Sequence, residues 1–294
     1  MFLEEYRRKF EGELSFAIDR MGEKNVLRDA CEYAIVSGGK RLRPLIVLMT
    51  ADALGFGLDV MPSALSVEFF HTASLIADDL PCMDNDDFRR SRPSLHKAFG
   101  ESVAILASYT LIAEGYGGIH RNAESMGSTQ FASQAGSSAI LCLKAAAACG
   151  GIRGAANGQF LDLFPPDSSL ETIYKVIAQK TSALFEIAFL FGWLFGGGSA
   201  SSIPEIQSCA TQLGLAFQIA DDMEDNDQDA SHSDSVNLAR VLGRDLAQTL
   251  FEKAMVGFKQ NLEGLGLWTE PFQELFGFLN RSSVDCRLLR GRES

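Results

Sequence analysis

The sequence predicts an all-α fold, and two observations carry that prediction. Apolar residues recur at helical spacing along the whole chain, while the alternating pattern of a half-buried strand is scarce. Short stretches rich in Gly, Ser or Pro separate the helical segments, at residues 37–39, 55–57, 165–169 and 196–202. Because no shift in composition marks a linker, we expect one domain over residues 1–294, built from roughly ten or more helices.

Composition narrows the classes of function. A formal net charge of −12 argues against a nucleic-acid-binding protein, which needs a clustered basic surface. The six cysteines form no CxxC pair and follow no recognisable secretory leader, which favours reduced thiols in the cytoplasm. The most apolar stretch, Ala183–Phe195, carries Glu186 and falls short of the ~20 residues that span a bilayer. It therefore predicts a buried core helix, and we expect no integral membrane segment.

A first aspartate-rich segment follows an apolar helix. Pro62 suits a first-turn position, and Pro81 ends the helix, which places Asp78 and Asp79 at its C-terminal end. A helix C-terminus carries partial negative charge, so carboxylates there are unfavourable unless a cation is present. A loop after Pro81 can bring Asp84 back beside Asp78.

A second acidic cluster lies in another apolar helix, over residues 213–225. Asp221 and Asp225, four residues apart, share one helix face, where two like charges destabilise an isolated helix. One alternative is that each acidic run is a solvated helix face. Because both runs continue strongly apolar helices, we favour sites in a cleft, with oxygen ligands of the kind that Mg²⁺ prefers.

Other known motifs fit poorly. Asp225 begins an EF-hand-like run, but Ala230 and Val236 replace the turn glycine and the bidentate glutamate. No glycine-rich nucleotide loop is present. Elements similar to a serine hydrolase, starting with Ser94 and Lys97 in S-x-x-K spacing, occur in the wrong chain order and without strands.

Arginines and lysines accompany the acidic segments. The stretch SGGKRLRP places Lys40, Arg41 and Arg43 in one turn, and further arginines follow the first acidic run directly, namely Arg89, Arg90 and Arg92. The planar guanidinium suits phosphate oxygens, so these side chains can bind a phosphorylated substrate that Mg²⁺ also contacts. Neutralisation of neighbouring aspartates is the alternative role for Arg89 and Arg90, and both roles are compatible. Nearby phenylalanines suggest that the rest of the substrate is apolar, although packing in the core explains them equally well.

These motifs resemble those of the trans-isoprenyl diphosphate synthases along most of the chain. SGGKRLRP, the segment from Ser66 to Glu101, GQFLDL, KTSALFE and GLAFQIADDMEDNDQD occur in the family's order and spacing. The resemblance implies an all-α bundle of the isoprenoid synthase type around a deep central cavity, and a homodimer. It also implies Mg²⁺-dependent condensation of isopentenyl diphosphate with an allylic diphosphate.

The resemblance also assigns roles to individual residues. It implies that Mg²⁺ is bound by the two acidic clusters, at Asp78, Asp79, Asp84, Asp221, Asp222 and Asp225. The allylic substrate is implied to contact Arg89, Lys180, Thr181 and Gln218. Isopentenyl diphosphate is implied to contact Lys40, Arg43, His71 and Arg90, although a single histidine on an apolar helix is more often a core residue. The resemblance also implies that five residues take part directly in catalysis, namely Asp78, Asp84, Arg89, Lys180 and Asp221.

Several positions depart from the family pattern. Ala77 replaces a common histidine, Ser108 and Tyr109 replace Gly-Asp, Asn157 replaces a small residue, and Ser235 stands where a phosphate-binding lysine is expected. Loss of a cation weakens diphosphate binding, so reduced turnover is one expectation. A weakly catalytic regulatory subunit of a hetero-oligomeric synthase is therefore an alternative, which the intact aspartates oppose. A terpene cyclase is a further alternative, but it has no use for the cluster at residues 40–43.

Small side chains near the first acidic cluster predict the product length. Ala73 and Ser74 lie about one turn, ~5.4 Å, before Asp78 on the same helix. Relatives that stop at fifteen carbons commonly carry an aromatic residue there. The sequence therefore predicts a C20 product, geranylgeranyl diphosphate, with C15 farnesyl diphosphate as the alternative and with Phe69 or Phe70 as the floor of the cavity.

Overall fold

The computed structural model describes residues 1–226 and 237–284, with the side chains of 224–226 and 282–284 left out. Helices dominate these residues, and the one strand pair is two residues long on each side, so the predicted all-α class is confirmed. The backbone divides into two compact units. The first unit contains Glu4–Ala147 and Ile187–Ala200; the second contains Met1–Leu3, Ala148–Glu186 and the described residues from Ser201 onward. A single domain over residues 1–294 stays a prediction.

The first unit holds the glycine-rich turn and the first acidic cluster. Its elements, in chain order, are α1 Phe2–Asp19 (from Glu4), α2 Val26–Ile35, α3 Leu42–Leu54, α4 Met61–Asp78, β1 Phe88–Arg89, β2 Arg92–Pro93, α5 Leu95–Phe99, α6 Glu101–Gly127 and most of α7 Ala132–Gly150. The loop from Asp79 to Asp87 joins α4 to the two strands.

Helix α4 carries the first acidic cluster, and its ends match the sequence prediction closely. It begins at Met61 with Pro62 in the first turn. Proline is tolerated there because backbone N–H groups in the first turn have no acceptor within the helix. It ends at Asp78, with Asp79 as the C-cap, two residues before Pro81. The stop follows from Pro81, which disfavours helical backbone at the preceding residue.

Close contact between α4 and α6 fixes the position of that cluster. Gly118 of α6 lies against α4, where an added Cβ would stand 2.1 Å from Ser66 Oγ and 2.7 Å from the Pro62 carbonyl oxygen. No larger residue fits there without moving a helix. Ser108 Oγ of α6 donates a hydrogen bond of 3.0 Å to the Ala73 carbonyl oxygen of α4. The two helices are thus tied together at both ends of their contact.

A short hairpin follows the acidic loop and was not predicted. Phe88 pairs with Pro93 and Arg89 with Arg92, and the two turn residues Arg90 and Ser91 have φ of 52° and 62°. Two positive φ values are the mark of a type I′ turn, which normally contains Asn or Gly. Neither residue is present here, since Arg90 and Ser91 occupy the turn.

The second unit holds the second acidic cluster. Its elements are α8 Ala155–Leu163, α9 Leu170–Val176, a π-helical segment Ile177–Ser182, the start of α10 Ala183–Phe195, α11 Ile203–Asn226, α12 Leu238–Leu242, α13 Arg244–Gly264 and α14 Glu270–Val284. A single 3₁₀ turn, Ala200–Ser202, precedes α11. The remainder of α10 belongs to the first unit.

The predicted core helix is confirmed as α10, with the bounds that the apolar run suggested. Its phenylalanines at 185, 189, 191 and 195 are fully buried. One described stretch, Ala132–Leu163, is long and apolar enough by length and composition to span a membrane. That is weak evidence, because residues 151–154 interrupt its helical backbone. The five cysteines in the described part of the chain form no disulfide with one another.

Candidate active site

The loop after α4 brings Asp84 back to the end of the helix. The Asp84 N–H donates a hydrogen bond of 2.9 Å to the Asp78 carbonyl oxygen, and the Leu80 carbonyl accepts from Met83 N–H at 2.9 Å. Asp78 is half-buried and Asp84 is exposed. The expected return of Asp84 to Asp78 is therefore seen in the backbone.

Asp79 lies in a different environment from its neighbour Asp78. It is buried, and Arg89 Nε donates to its Oδ1 at 2.9 Å, while Arg89 Nη2 also donates to Asp86 Oδ2 at 3.3 Å. Burial raises the pKa of Asp79, and the Arg89 guanidinium opposes that shift. Neutralisation of aspartates by Arg89 is thus present, and a role for Asp79 as a metal ligand stays a prediction.

Side chains predicted to hold isopentenyl diphosphate surround His71 in the first unit. Arg43 Nη1 lies 3.2 Å from His71 Nε2. The Arg90 guanidinium packs on Gly39, next to the exposed Lys40, where an added Cβ would stand 2.5 Å from Arg90 Cζ. Burial, then the charges of Arg43 and Arg90, lower the pKa of His71 well below its usual value, so the imidazole is neutral at pH 7.

Arg41 differs from the two basic residues that flank it. The sequence grouped it with Lys40 and Arg43, but its side chain is buried and paired with Glu11 and Glu68. Sequence spacing cannot reveal this, because both partners are distant in sequence and Arg41 has a left-handed backbone with φ of 51°.

The residues predicted to contact the allylic substrate lie in the second unit. Lys180 and Thr181 belong to the π-helical segment, a type of distortion that is frequent at functional sites. Thr181 Oγ1 donates to Gln218 Oε1 at 2.8 Å, and Gln218 Nε2 donates to Asp222 Oδ1 at 2.8 Å. A chain of hydrogen bonds therefore joins the π-helical segment to α11.

Two glycines allow neighbouring helices to approach the π-helical segment closely. At Gly158 of α8 an added Cβ would stand 2.3 Å from the Lys180 backbone nitrogen. At Gly214 of α11 it would stand 2.2 Å from Ser182 Oγ. The segment that carries Lys180 is consequently packed on both sides by backbone.

The second acidic cluster is described in part. Asp221 is half-buried, whereas Asp222 is buried and accepts from the Leu238 N–H at 2.7 Å. The side chain of Asp225 and all of Ser235 lie outside the described residues. The pairing of Asp221 with Asp225 therefore stays a prediction, as do the metal roles of Asp222 and Asp225.

The chemistry of the donors fits a magnesium ion. Asp78, Asp84 and Asp221 offer hard carboxylate oxygens, the donors that Mg²⁺ prefers. Within the described part of the chain, no group of three His, Cys, Asp or Glu side chains is arranged to hold an ion alone.

The structure describes four of the residues that depart from the family pattern. Ser108 is buried and bonded to α4, and Tyr109 is 65% exposed. Asn157 Nδ2 donates to Gln179 Oε1 at 2.7 Å, which ties α8 to the π-helical segment. Ala77 is half-buried. Ser108 and Asn157 thus both hydrogen-bond to neighbouring helical segments.

Sequence reasoning missed Asp162 as a partner of the site. Lys180 Nζ donates to Asp162 Oδ2 at 2.5 Å, from the π-helical segment to α8. The motif GQFLDL contains this aspartate, so the sequence does mark Asp162 as a candidate site residue. The spacing alone did not show which cation Asp162 pairs with.

Comparisons with known proteins agree with this geometry. Residues 24–252 match the family model described as Polyprenyl synthetase. The chain is 34% identical over 266 residues to "Heterodimeric geranylgeranyl pyrophosphate synthase large subunit 2" of Arabidopsis thaliana, covering 88% of this chain and 67% of that protein. It is 34% identical over 268 residues to "Geranylgeranyl pyrophosphate synthase, chloroplastic" of Capsicum annuum, covering 89% of this chain and 69% of that protein.

Solved structures show the same fold. A geranyltransferase from Legionella pneumophila superposes with a TM-score of 0.82 at 26% identity, covering 96% of each chain. A geranyltranstransferase from Thermotoga maritima superposes with a TM-score of 0.75 at 28% identity, covering 96% of this chain and 100% of that one. With the family match, these likenesses confirm the resemblance seen in the motifs: the chain is a prenyltransferase of the polyprenyl synthetase family, the trans-isoprenyl diphosphate synthases.

Proposed function

We propose that this prenyltransferase condenses isopentenyl diphosphate with allylic diphosphates, with Mg²⁺ bound, and that its main product is the C20 diphosphate. The observation that carries the proposal is the end of α4. There Asp84 returns to Asp78, and the small residues Ala73 and Ser74 lie about one turn, ~5.4 Å, before them.

In this proposal the carboxylates of the two acidic clusters hold the allylic diphosphate through Mg²⁺. Asp78 acts from α4, Asp84 from the loop after it and Asp221 from α11, and Arg89 and Lys180 bind diphosphate oxygens. Magnesium bound to these carboxylates supplies positive charge beside the leaving diphosphate. The cationic side chains spread the same charge over the remaining oxygens.

The reaction then has three balanced steps. The allylic C–O bond breaks, and its electron pair leaves with the diphosphate. The double bond of isopentenyl diphosphate, held by Lys40, Arg43, His71 and Arg90, supplies two electrons for the new C–C bond. The resulting cation loses a proton to the released diphosphate. Exclusion of water protects the cation, so the surface below the aspartates must be apolar.

Chain length depends on what lies along α4 below the aspartates. Phe69 is fully buried in the core, whereas Phe70 is half-buried, packs on Gly115 and meets the Tyr116 ring edge to face at 5.2 Å. On a helix with 100° per residue, Phe70 lies on the side of Ala73 and Ser74, and Phe69 lies away from Ser74. We therefore infer that Phe70 is the floor of the cavity.

An assay with labelled isopentenyl diphosphate and C5, C10 or C15 primers, with and without Mg²⁺, tests this function. The proposal expects Mg²⁺-dependent turnover of each primer and a product that stops at C20. Ala73→Tyr should shorten the product to C15, and Phe70→Ala should lengthen it beyond C20. Failure to extend the C15 primer would leave farnesyl diphosphate as the product. Absence of turnover by the purified chain would favour the regulatory-subunit alternative.

We also infer that two copies of the chain associate through one face of the first unit. Exposed apolar side chains form a row along α6, at Ile105, Leu106, Tyr109, Ile112 and Tyr116. A patch of this kind on a protein in water marks an interaction surface. Association of two copies covers it.

A further inference from the structure

The turn before α3 is held from beneath by a buried ion pair. Residues 38–41 form this turn, and the proposed function assigns Lys40 and Arg43 to the diphosphate of isopentenyl diphosphate. Lys40 is exposed and Arg43 is half-buried, but the Arg41 side chain between them is only 1% exposed. Arg41 therefore faces the protein interior and makes its contacts there.

Three donors of Arg41 reach three different helices. Nε donates to Glu11 Oε1 of α1 at 2.8 Å, Nη1 to Glu68 Oε1 of α4 at 2.5 Å, and Nη2 to the Ile35 carbonyl oxygen of α2 at 2.7 Å. A planar guanidinium can satisfy three acceptors in fixed directions, and a lysine ammonium at the end of a flexible chain cannot hold the same arrangement.

The backbone at Arg41 needs such an anchor. Its φ of 51° and ψ of 26° are left-handed, a conformation that L-residues other than Gly, Asn and Asp rarely adopt. Gly38 and Gly39 before it also have positive φ, of 86° and 126°. A non-glycine residue stays in this conformation only where its surroundings hold it there.

Glu68 supplies the charge that holds Arg41. Its side chain is 2% exposed, and a buried carboxylate is costly without a partner. Glu68 precedes His71 by three residues on α4, so both lie on neighbouring turns of that helix. Two links thus run from the start of α3 to α4, one from Arg41 to Glu68 and one from Arg43 to His71, the second with 3.2 Å between Nη1 and Nε2.

We propose that Arg41 and Glu68 are positioning residues for the isopentenyl diphosphate site, in that their buried pair fixes the turn that presents Lys40 and Arg43. Neither side chain touches the substrate. This inference rests on the proposed function. It gives Lys40 and Arg43 the role of binding the diphosphate and gives Arg41 the role of orienting those two residues.

Kinetics of Glu68→Gln test the proposal. The variant removes the buried negative charge and keeps the size of the side chain, so Arg41 loses its charged partner on α4 and keeps only Glu11 and the Ile35 carbonyl, while α4 keeps its packing. We expect the KM for isopentenyl diphosphate to rise about tenfold or more, and the KM for the allylic diphosphate to stay within about twofold. Calorimetric binding of isopentenyl diphosphate alone should weaken by the same factor.

A matched control is available at Arg28. This arginine also joins a helix to a turn through one carboxylate and one carbonyl, donating to Asp19 Oδ1 at 2.7 Å and to the Gly22 carbonyl at 2.9 Å. Arg28→Gln should lower the melting temperature and leave both KM values unchanged. A general loss of stability therefore cannot mimic the expected result.

A double variant separates positioning from stability. A buried ion pair can often be replaced by apolar residues of similar volume without loss of stability. Arg41→Met with Glu68→Leu should therefore fold and still show the raised KM for isopentenyl diphosphate. If the double variant recovers both stability and KM, the pair is merely structural and the proposal is overturned.

Other outcomes also decide the question. An unchanged KM for isopentenyl diphosphate in folded Glu68→Gln, or equal rises for both substrates, overturns the proposal. Failure of both variants to fold assigns the pair to global stability and overturns it too. Inactivity of the unaltered chain would instead contradict the proposed function, while binding of isopentenyl diphosphate by calorimetry would still report on the turn.

Discussion

Asp78 and Asp84 are six residues apart, yet one backbone hydrogen bond of 2.9 Å holds them at the same helix end. In a continuous helix their side chains would point to different faces, since six residues correspond to about 600° of rotation. Pro81 resolves this by ending helical backbone, so that the next residues turn back. The acidic cluster therefore depends on a proline as much as on its aspartates.

Removal of one carboxylate from this cluster should abolish most of the activity. For Asp78→Asn and Asp84→Asn we expect a loss of about 100-fold or more in kcat, together with a higher Mg²⁺ requirement, because a preorganised charge beside the leaving group is lost. Steady-state rates across a Mg²⁺ titration measure both effects. Asp87→Asn is the control, since Asp87 is exposed and paired with Lys97 at 2.7 Å, and rates for Asp78→Asn within twofold of the control would contradict the assignment.

His71 predicts a pH dependence of stability. Burial and the positive charges of Arg43, Arg90, Arg41 and Arg89 lower its pKa in the folded protein well below 6.5, the value that an unfolded chain retains. The unfolded chain therefore binds a proton first as the pH falls below 6.5, which favours unfolding. The contribution of His71 to the free energy of unfolding is fully present above pH 6.5, and it is lost as the pH falls toward the pKa of His71 in the folded protein.

Thermal melts at several pH values measure this effect. Between pH 7.5 and pH 5.5 the melting temperature of the unaltered protein should fall more steeply than that of His71→Gln, which has no group titrating at this position. Carboxylates contribute equally to both proteins, so the difference between the two slopes isolates His71. Parallel slopes would show that folding does not lower the pKa of His71.

The elements of the fold differ in how far the sequence predicts them. Both α4 and α10 were predicted with nearly the observed ends, because proline and glycine stops and a strong apolar pattern are local signals. The hairpin at Arg90 and Ser91 was missed, since contacts with the rest of the first unit override the turn preference of those residues. Pairings such as Lys180 with Asp162 were also missed, because they depend on how helices pack and not on spacing.

Packing around the π-helical segment should make it sensitive to added atoms. Gly214→Ala places a methyl group 2.2 Å from Ser182 Oγ and 2.7 Å from its Cα, so α11 or the segment must move. We expect a loss of about 1–3 kcal/mol in the free energy of unfolding, as for other overpacked cores. Because Thr181 is bonded to Gln218 across this contact, kcat should fall as well.

Denaturant melts and initial rates test this expectation. Gly136→Ala in α7 is the control, because an added Cβ there meets nothing within 4 Å. Alanine in an open helical position should stabilise by about 0.5–1 kcal/mol and leave kcat unchanged. Equal behaviour of the two variants would mean that the close approach at Gly214 has no role in the site.

At the scale of the whole molecule, the apolar row on α6 predicts the state of association. Leu106 and Tyr109 are 51% and 65% exposed, three residues apart on one helix face, and exposure of such side chains to water is unfavourable. Two copies that bury this row gain hydrophobic free energy. We therefore expect a particle of twice 32.0 kDa in solution.

Analytical ultracentrifugation of charged variants tests the association. Leu106→Glu combined with Tyr109→Glu should convert the protein to a monomer, because burial of two unpaired carboxylates at an interface costs far more than the lost apolar contact. Phe16→Glu is the control, since Phe16 is 61% exposed on α1, outside the row, and its replacement should leave the dimer intact. We also expect lower activity in the monomer, because α6 supports α4 through the bond from Ser108 to Ala73. A dimer that persists in the double variant would place the interface on another face of the molecule.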